Sequence, residues 1–214
     1  MIDRRTLIAG LSAALIAPRR ACAQTEKDAA GRSVPVPARV ARVFPAGPPA
    51  AILLYTVAPE LLIGWPRANR SEECVYMLPE ICTRPEVGRI TGRGNTANLE
   101  TVLALKPDLI LDVGSTSATF VSLADRVQQQ TGIPYALLDG RFAGIAGAYR
   151  TLGALIGRPG DAEKLARTTE DTLKTITGRI EPVAANERPK VYYARGPRGL
   201  RPGSAARSMS RPSS

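Results

Sequence analysis

The fold of this chain is decided by residues 98–111, which read NLETVLALKPDLIL. Apolar residues recur at helical spacing over 98–105, so this part predicts a helix. The triplet Lys106-Pro107-Asp108 is a turn, because proline has no amide hydrogen with which to continue a helix. The run that follows, 109–113, is apolar as in a strand buried on both faces of a sheet. The stretch therefore predicts a helix that turns directly into a core strand.

The same alternation of apolar strands and helices extends to both sides of this stretch. Strands are predicted at 43–46, 61–65, 109–113 and 135–138, and helices at 50–57, 98–105, 120–130 and 145–156. Continuously apolar strands that are separated by helices form a mostly parallel sheet with helices on both faces. We therefore predict the α/β class, with residues 24–158 as one three-layer lobe.

A short hairpin is predicted at the start of this lobe, over residues 28–43. Gly31-Arg32 supplies the turn, and valines alternate at positions 34, 36, 40 and 43. Pro35 and Pro37 confine such a hairpin to the edge of a sheet, because proline cannot donate to the hydrogen-bond ladder.

The region after residue 158 predicts a connection to a second lobe. A long charged helix at 161–180 lies within a connector, residues 159–188, and 189–200 hold the first strand of an incomplete lobe. Residues 201–214 are rich in Arg, Ser, Pro and Gly, which bury too little apolar surface to offset their ordering entropy, so we predict a disordered tail. Our hypothesis is that a single-base frameshift near Leu200 replaced the rest of the second lobe and left the chain truncated.

The N-terminus has the three parts of a secretory signal peptide, which we assign to residues 1–23. Arg4 and Arg5 precede an apolar run at 7–17, and Ala21-Cys22-Ala23 offers a small-residue cleavage site. We expect cleavage after Ala23 and a periplasmic location, reached by the twin-arginine or the general route. In that oxidising compartment Cys74 and Cys82 either form a disulfide or remain free thiols.

The net charge of +10 raises the question of nucleic-acid binding. The arginines are scattered and few aromatic residues lie among them, so a solvated basic surface is favoured over a nucleic-acid interface. The chain has no histidine, no Gly-x-Ser-x-Gly motif and no loop of the kind that holds a phosphate, which argues against an enzyme. An exported enzyme with a Rossmann-like lobe and a basic interaction module stay as alternatives.

Several of these segments together resemble the helical-backbone class of periplasmic substrate-binding proteins, which serve ABC importers of iron-siderophores, haem and cobalamin. Residues 98–111 resemble the most recognisable segment of that class, and 28–40, 131–134 and 161–180 resemble its opening hairpin, a loop before a strand and the connector between lobes. The resemblance implies two lobes with the ligand in the cleft between them. It also implies a monomer that works with an ABC permease, without catalysis and without a cofactor.

The missing histidines narrow the ligand that this resemblance implies. Direct capture of zinc or manganese and ligation of haem iron commonly use imidazole. A metal inside its own organic chelator is therefore expected, with an iron-siderophore first and cobalamin or haem next. Because an incomplete second lobe removes one wall of the cleft, we expect weak or absent binding by this chain.

The candidate ligand-binding residues lie where the strands end, since open parallel sheets bind ligands outside the carboxyl ends of their strands. They are Trp65, Arg67, Arg93, Asn95, Ser115 and Arg141, with Tyr193 and Arg195 on the side of the second lobe. Trp65 would offer a broad face to a planar chelate. Arg67, Arg93 and Arg141 would bind carboxylate or catecholate oxygens. Ser115 has the alternative role of capping the helix that follows.

Overall fold

The computed structural model describes residues 24–92, 96–191, 194–195 and 201–202, so the signal peptide assigned to 1–23 lies outside the described range. The first element is an antiparallel hairpin of β1 (Gln24–Lys27) and β2 (Ser33–Val36). Gly31 lies in its turn with a φ of 77°. The hairpin predicted over 28–43 is therefore correct in its turn but wrong in its strands. Residues 28–32 form the turn itself, and Val43 belongs to the next strand.

Three parallel strands form the central sheet, in the order β3 (Val43–Pro45), β4 (Leu109–Gly114) and β5 (Tyr135–Asp139). Val43 pairs with Leu109, and Ile110 pairs with Tyr135. The side chains of these strands are almost all buried. The three strands agree with the predictions at 43–46, 109–113 and 135–138.

Helices surround this sheet. In the described part of the chain they are α1 (Pro48–Val57), α2 (Ser71–Cys74), α3 (Pro79–Cys82), α4 (Leu99–Leu105), α5 (Ala118–Thr131), α6 (Ile145–Leu155) and α7 (Pro159–Ile180). Five of them match predicted helices, whereas α2 and α3 are single turns that the sequence did not indicate. Within the same described residues, no helix is both long enough and apolar enough to cross a membrane.

The helices cover both faces of the sheet. Alternate residues of β4 point to opposite faces, as in any strand. Leu109 and Leu111 lie in one apolar cluster, which they share with Leu54 of α1 and Leu152 of α6. Ile110 lies in a second cluster, which includes residues of α4 and α5. The predicted three-layer α/β lobe is confirmed.

The turn between α4 and β4 connects the sheet to the segment that precedes β3. Lys106 ends α4 in the left-handed conformation, with a φ of 47°. The Asp108 carboxylate then accepts hydrogen bonds from the amides of Ala41, at 2.8 Å, and Arg42, at 2.9 Å. The decisive stretch of the sequence therefore also aligns the beginning of β4 with the beginning of β3.

Asp28 fastens the hairpin to β5. Its buried carboxylate accepts hydrogen bonds from the amides of Ala30, at 3.0 Å, Arg32, at 2.9 Å, and Leu137, at 3.2 Å. Arg32 Nη1 donates to the Asp28 carboxylate at 2.9 Å and to the Tyr135 carbonyl at 2.8 Å. Because β5 is the last strand of the sheet, the hairpin lies at a sheet edge, as its prolines predicted.

The strand predicted at 61–65 is wrong as a regular element. Pro59–Leu61 is a 3-10 helix, and only isolated parallel bridges join Leu62 to Val43 and Trp65 to Glu86. These two bridges lead to different partners, one in the sheet and one in a loop. Each partner therefore pairs with only one residue of the stretch, which is too few for a continuous ladder.

The chain divides after Glu170 into two compact units, and the second begins within α7. In the second unit β6 (Ala194–Arg195) pairs antiparallel with β7 (Arg201–Pro202). The first two residues of the tail predicted to be disordered form β7, whose ladder hydrogen bonds join backbone groups and need no apolar side chain. The predicted disorder of the tail as a whole stays a prediction. Residues 203–214 lie outside the described range. The division into lobe, connector and second lobe stays a prediction.

Candidate functional site

The carboxyl ends of the parallel strands meet at one edge of the lobe, which we call the rim. Gly114 ends β4, and Gly140 follows β5. The Gly140 amide donates a hydrogen bond to the Gly114 carbonyl at 2.8 Å. A Cβ atom on Gly140 would lie 2.7 Å from the Gly114 Cα atom, so the two backbones approach this closely because Gly140 has no side chain, whereas a Cβ atom on Gly114 would meet open space.

A groove of about 520 Å³ opens at the rim, between the start of α1 and the segment that carries α2. We call it the Trp65 groove. Its apolar wall includes Pro48, Ile52, Pro66, Tyr76 and Met77. Its charged residues are Arg67, Glu72 and Glu73.

A second groove, of about 490 Å³, shares Pro48 and Ile52 with the first and also contacts Gly114 and Gly140. We call it the Gly114 groove. Ile52 is 51% exposed, so an apolar side chain of α1 stands as a ridge between the two grooves. Apolar concave surface at the carboxyl ends of parallel strands is where ligands bind in open α/β sheets.

Trp65 lies in the wall of its groove, but it is not the open platform that the sequence predicted. It is only 3% exposed, because its ring packs 5.8 Å from the ring of Tyr55. Its indole nitrogen donates to the Ile81 carbonyl at 2.8 Å, so its polar edge is also occupied. The exposed aromatic side chain of the groove is Tyr76, at 87%, which sequence reasoning missed.

Arg67 lies in the same groove, and a neighbouring carboxylate holds it. Its two terminal nitrogens donate to the two oxygens of Glu73, at 2.5 and 2.9 Å. The hydrogen bonds from Arg67, and then that from the Arg70 amide, lower the pKa of Glu73 to about 2, so the pair stays ionised at neutral pH. The bidentate geometry that would recognise an anionic ligand is thus already occupied within the chain.

A disulfide between Cys74 and Cys82 closes the outer wall of this groove, with Cα atoms 5.5 Å apart. The closed loop contains Tyr76 and Met77, both of which line the groove. The Leu78 amide, in the same loop, donates to the hydroxyl of Tyr55 at 2.8 Å. The crosslink therefore shapes the surface that a ligand would meet.

The other predicted residues on the described part of the rim do not join this groove. The side chain of Arg141 is 83% exposed, and it makes an ion pair with Asp139 at 2.7 Å. Hydrogen bonds from Arg141 lower the pKa of Asp139. Ser115 is exposed, and its hydroxyl accepts a hydrogen bond from the Ser117 amide at 3.2 Å. The N-cap of α5 is Ser117 rather than Ser115, and no side chain caps this helix, so the alternative role predicted for Ser115 is wrong. Neither Arg141 nor Ser115 lines either groove.

The remaining predicted residues lie wholly or partly outside the described residues. Arg93, Asn95 and Tyr193 are outside them altogether. Arg195 is described only through its backbone, which forms β6 in the second unit. Their roles in ligand binding stay predictions.

A buried polar cluster beneath the rim was also missed. Asp112 of β4 accepts hydrogen bonds from the hydroxyls of Thr91 and Tyr135, both at 3.1 Å. Burial raises the pKa of the Asp112 carboxyl, and burial together with the nearby Asp112 raises the pKa of Tyr135. The signal was a single acidic residue inside an apolar strand, since such a residue is buried only with partners. Among the described residues no group of three acidic or cysteine side chains has the arrangement of a metal site.

No protein-family model matches the sequence, and no curated protein matches it either. Solved structures do match. An ABC transporter solute binding protein from Sulfurospirillum deleyianum is 24% identical, with 80% of this chain and 54% of that chain covered and a TM-score of 0.68. A periplasmic solute binding protein from Veillonella parvula is 20% identical, with 80% and 52% covered and a TM-score of 0.63.

A third similar structure is the molybdate periplasmic binding protein MolA of Haemophilus influenzae with molybdate bound. It is 16% identical, with 80% of this chain and 58% of that chain covered and a TM-score of 0.63. This chain thus spans about half the length of the three solved proteins. It has the fold of periplasmic solute-binding proteins of ABC transporters, and the resemblance predicted over about residues 28–200 is confirmed at the level of the fold.

Proposed function

We propose that this chain is the substrate-binding component of an ABC importer, exported to the periplasm, which binds a metal chelate without chemical conversion. The observation that carries the proposal is the pair of apolar grooves at the rim of an α/β lobe with the solute-binding-protein fold. A binding protein needs such a concave surface and no reacting group. A permease in the inner membrane is the partner that this role requires.

An iron-siderophore is the proposed ligand class, with cobalamin or haem next. The chain has no histidine, so imidazole is not available to hold a bare transition metal or the iron of haem. A metal that arrives with its ligands complete needs only shape, apolar contact and charge from the protein. The Trp65 groove offers these through Ile52, Tyr76 and Met77.

Fluorescence of the purified full chain tests the proposal directly, because Trp65 is its only tryptophan and lies in the groove wall. Titration with ferric siderophores, cobalamin and haem should quench this emission, while free N-acetyltryptophanamide corrects for light absorbed by the chelates. Equilibrium dialysis of the metal provides an independent measure. We expect at least one iron-siderophore to bind in preference to its metal-free form, and to bind weakly, as expected of one lobe of a two-lobed cleft.

A matched pair of variants identifies the surface that binds. Ile52→Gln removes the apolar ridge between the grooves, whereas Leu103→Gln changes a similarly exposed side chain of α4 that lines neither groove; the two side chains are 51% and 44% exposed. Ile52→Gln should weaken binding about tenfold, since a buried aliphatic side chain contributes about 1.5 kcal/mol. Leu103→Gln should leave binding unchanged. Absence of binding by every chelate tested would refute the proposed function.

A further inference from the structure

We propose that the Trp65 groove selects its chelate by charge, and that Glu72 is the residue that sets this preference. The inference rests on the proposed function and specifies the ligand further. The groove takes ferric chelates of neutral or positive net charge, as in the tris-hydroxamate class, and rejects strongly anionic ones such as tris-catecholates.

Among the residues that the structure describes, Arg67 is the one arginine that lines the groove. Both terminal nitrogens of Arg67 donate to Glu73, and one of them also donates to the Ala68 carbonyl at 2.9 Å. An anionic ligand would have to displace a bidentate carboxylate that is attached to the same chain. Glu73 then stays charged beside the incoming anion and repels it, which offsets the attraction that Arg67 provides.

Glu72 lies next to Glu73 on α2 and supplies a second carboxylate. Glu72 is exposed, lines the groove, and has no ion-pair partner among the residues that the structure describes. Within the described lining of the groove, one arginine against two glutamates gives a formal charge of −1. This acidic surface stands out in a chain whose net charge is +10.

The net charge of a ferric chelate depends on the groups that bind the iron. Three hydroxamates balance the charge of ferric iron, so their complex is neutral, and an added ammonium group makes it cationic. Catecholates carry more negative charge per oxygen pair, so their ferric complex is strongly anionic. The apolar contacts of Ile52, Tyr76 and Met77 suit the hydrocarbon links of the first type, and Glu72 favours a cation and repels an anion.

The test compares three ferric chelates in the Trp65 fluorescence titration: ferrioxamine B, which is cationic, ferrichrome, which is neutral, and ferric enterobactin, which is anionic. We expect the first two to bind and the third to bind at least about tenfold more weakly. Glu72→Gln should weaken ferrioxamine B about two- to fivefold, leave ferrichrome unchanged and strengthen ferric enterobactin. Added salt should reduce the effect on the cation.

Glu100→Gln is the matched control, because Glu100 is an exposed glutamate of α4 that lies outside both grooves. It should change none of the three affinities. Tightest binding of ferric enterobactin, or an equal response of all chelates to Glu72→Gln, would overturn the charge inference and leave the proposed function standing. Failure of these three chelates, and of cobalamin and haem, to bind would overturn both the charge inference and the proposed function.

Discussion

Asp28 joins the N-terminal hairpin to the sheet, and Asp28→Ala tests how much stability that junction contributes. The buried carboxylate accepts hydrogen bonds from three backbone amides and from the guanidinium of Arg32. Among these donors the Leu137 amide belongs to β5, in the interior of the lobe. The change removes every one of these hydrogen bonds, and the alanine side chain offers no acceptor to replace the carboxylate.

The expected cost follows from the partners that the change leaves. The amide of Leu137 loses its acceptor in a buried position, which costs about 1–3 kcal/mol. Arg32 loses the carboxylate beside it, although it keeps the Tyr135 carbonyl and Asp125, and losing one member of a buried ion pair costs about 3–5 kcal/mol. Because these two losses overlap, we expect the free energy of unfolding to fall by about 3–5 kcal/mol in total.

Urea denaturation followed by circular dichroism measures this free energy. With a slope of about 2 kcal/mol per molar, the midpoint should fall by about 2 M. Asp125→Ala is the control, because Asp125 pairs with the same arginine at 2.8 Å but its side chain is 61% exposed. That variant should lose at most about 1 kcal/mol. Equal costs for the two variants would refute the reasoning that burial makes Asp28 the stronger partner.

Two further predictions concern the rim and the polar cluster beneath it. Gly140→Ala should lower the free energy of unfolding by about 1–3 kcal/mol, because the new Cβ atom would lie 2.7 Å from the Gly114 Cα atom. Gly147→Ala is the control and should raise this free energy by about 0.5–1 kcal/mol, because Gly147 lies in α6 with open space where its Cβ atom would be. Thermal or urea unfolding measures both changes. The pKa of Asp112 is raised, so the folded parent chain favours the neutral carboxyl and loses stability as the pH rises from about 4 and the group ionises. The Asp112→Asn variant has no such group, so its free energy of unfolding should rise relative to that of the parent chain over the same pH range. Urea unfolding of the variant and the parent chain at several pH values measures this difference in free energy. A difference that does not change with pH would contradict the prediction for Asp112.

Much of the lobe follows from the sequence because its signals are local. Residues 98–111 predicted α4 and β4, and the structure has them at Leu99–Leu105 and Leu109–Gly114. The stretch at 61–65 failed because its pairing partners, Val43 and Glu86, are set by distant parts of the chain. An apolar run predicts burial, but it does not specify with which segment it pairs.

The sequence by itself thus determined the α/β class and the three-layer order, because the periodicity of apolar residues records which faces are buried. It also predicted the rim as the position of the candidate site. Only the tertiary structure decided what the site residues can do. Trp65 was predicted to offer an open face to a ligand, but it is buried against Tyr55. Arg67 was predicted to bind an anion, but its guanidinium already pairs with Glu73. Whether a side chain is free to bind a ligand depends on which groups pack against it in the folded chain, and the residue type alone does not specify those contacts.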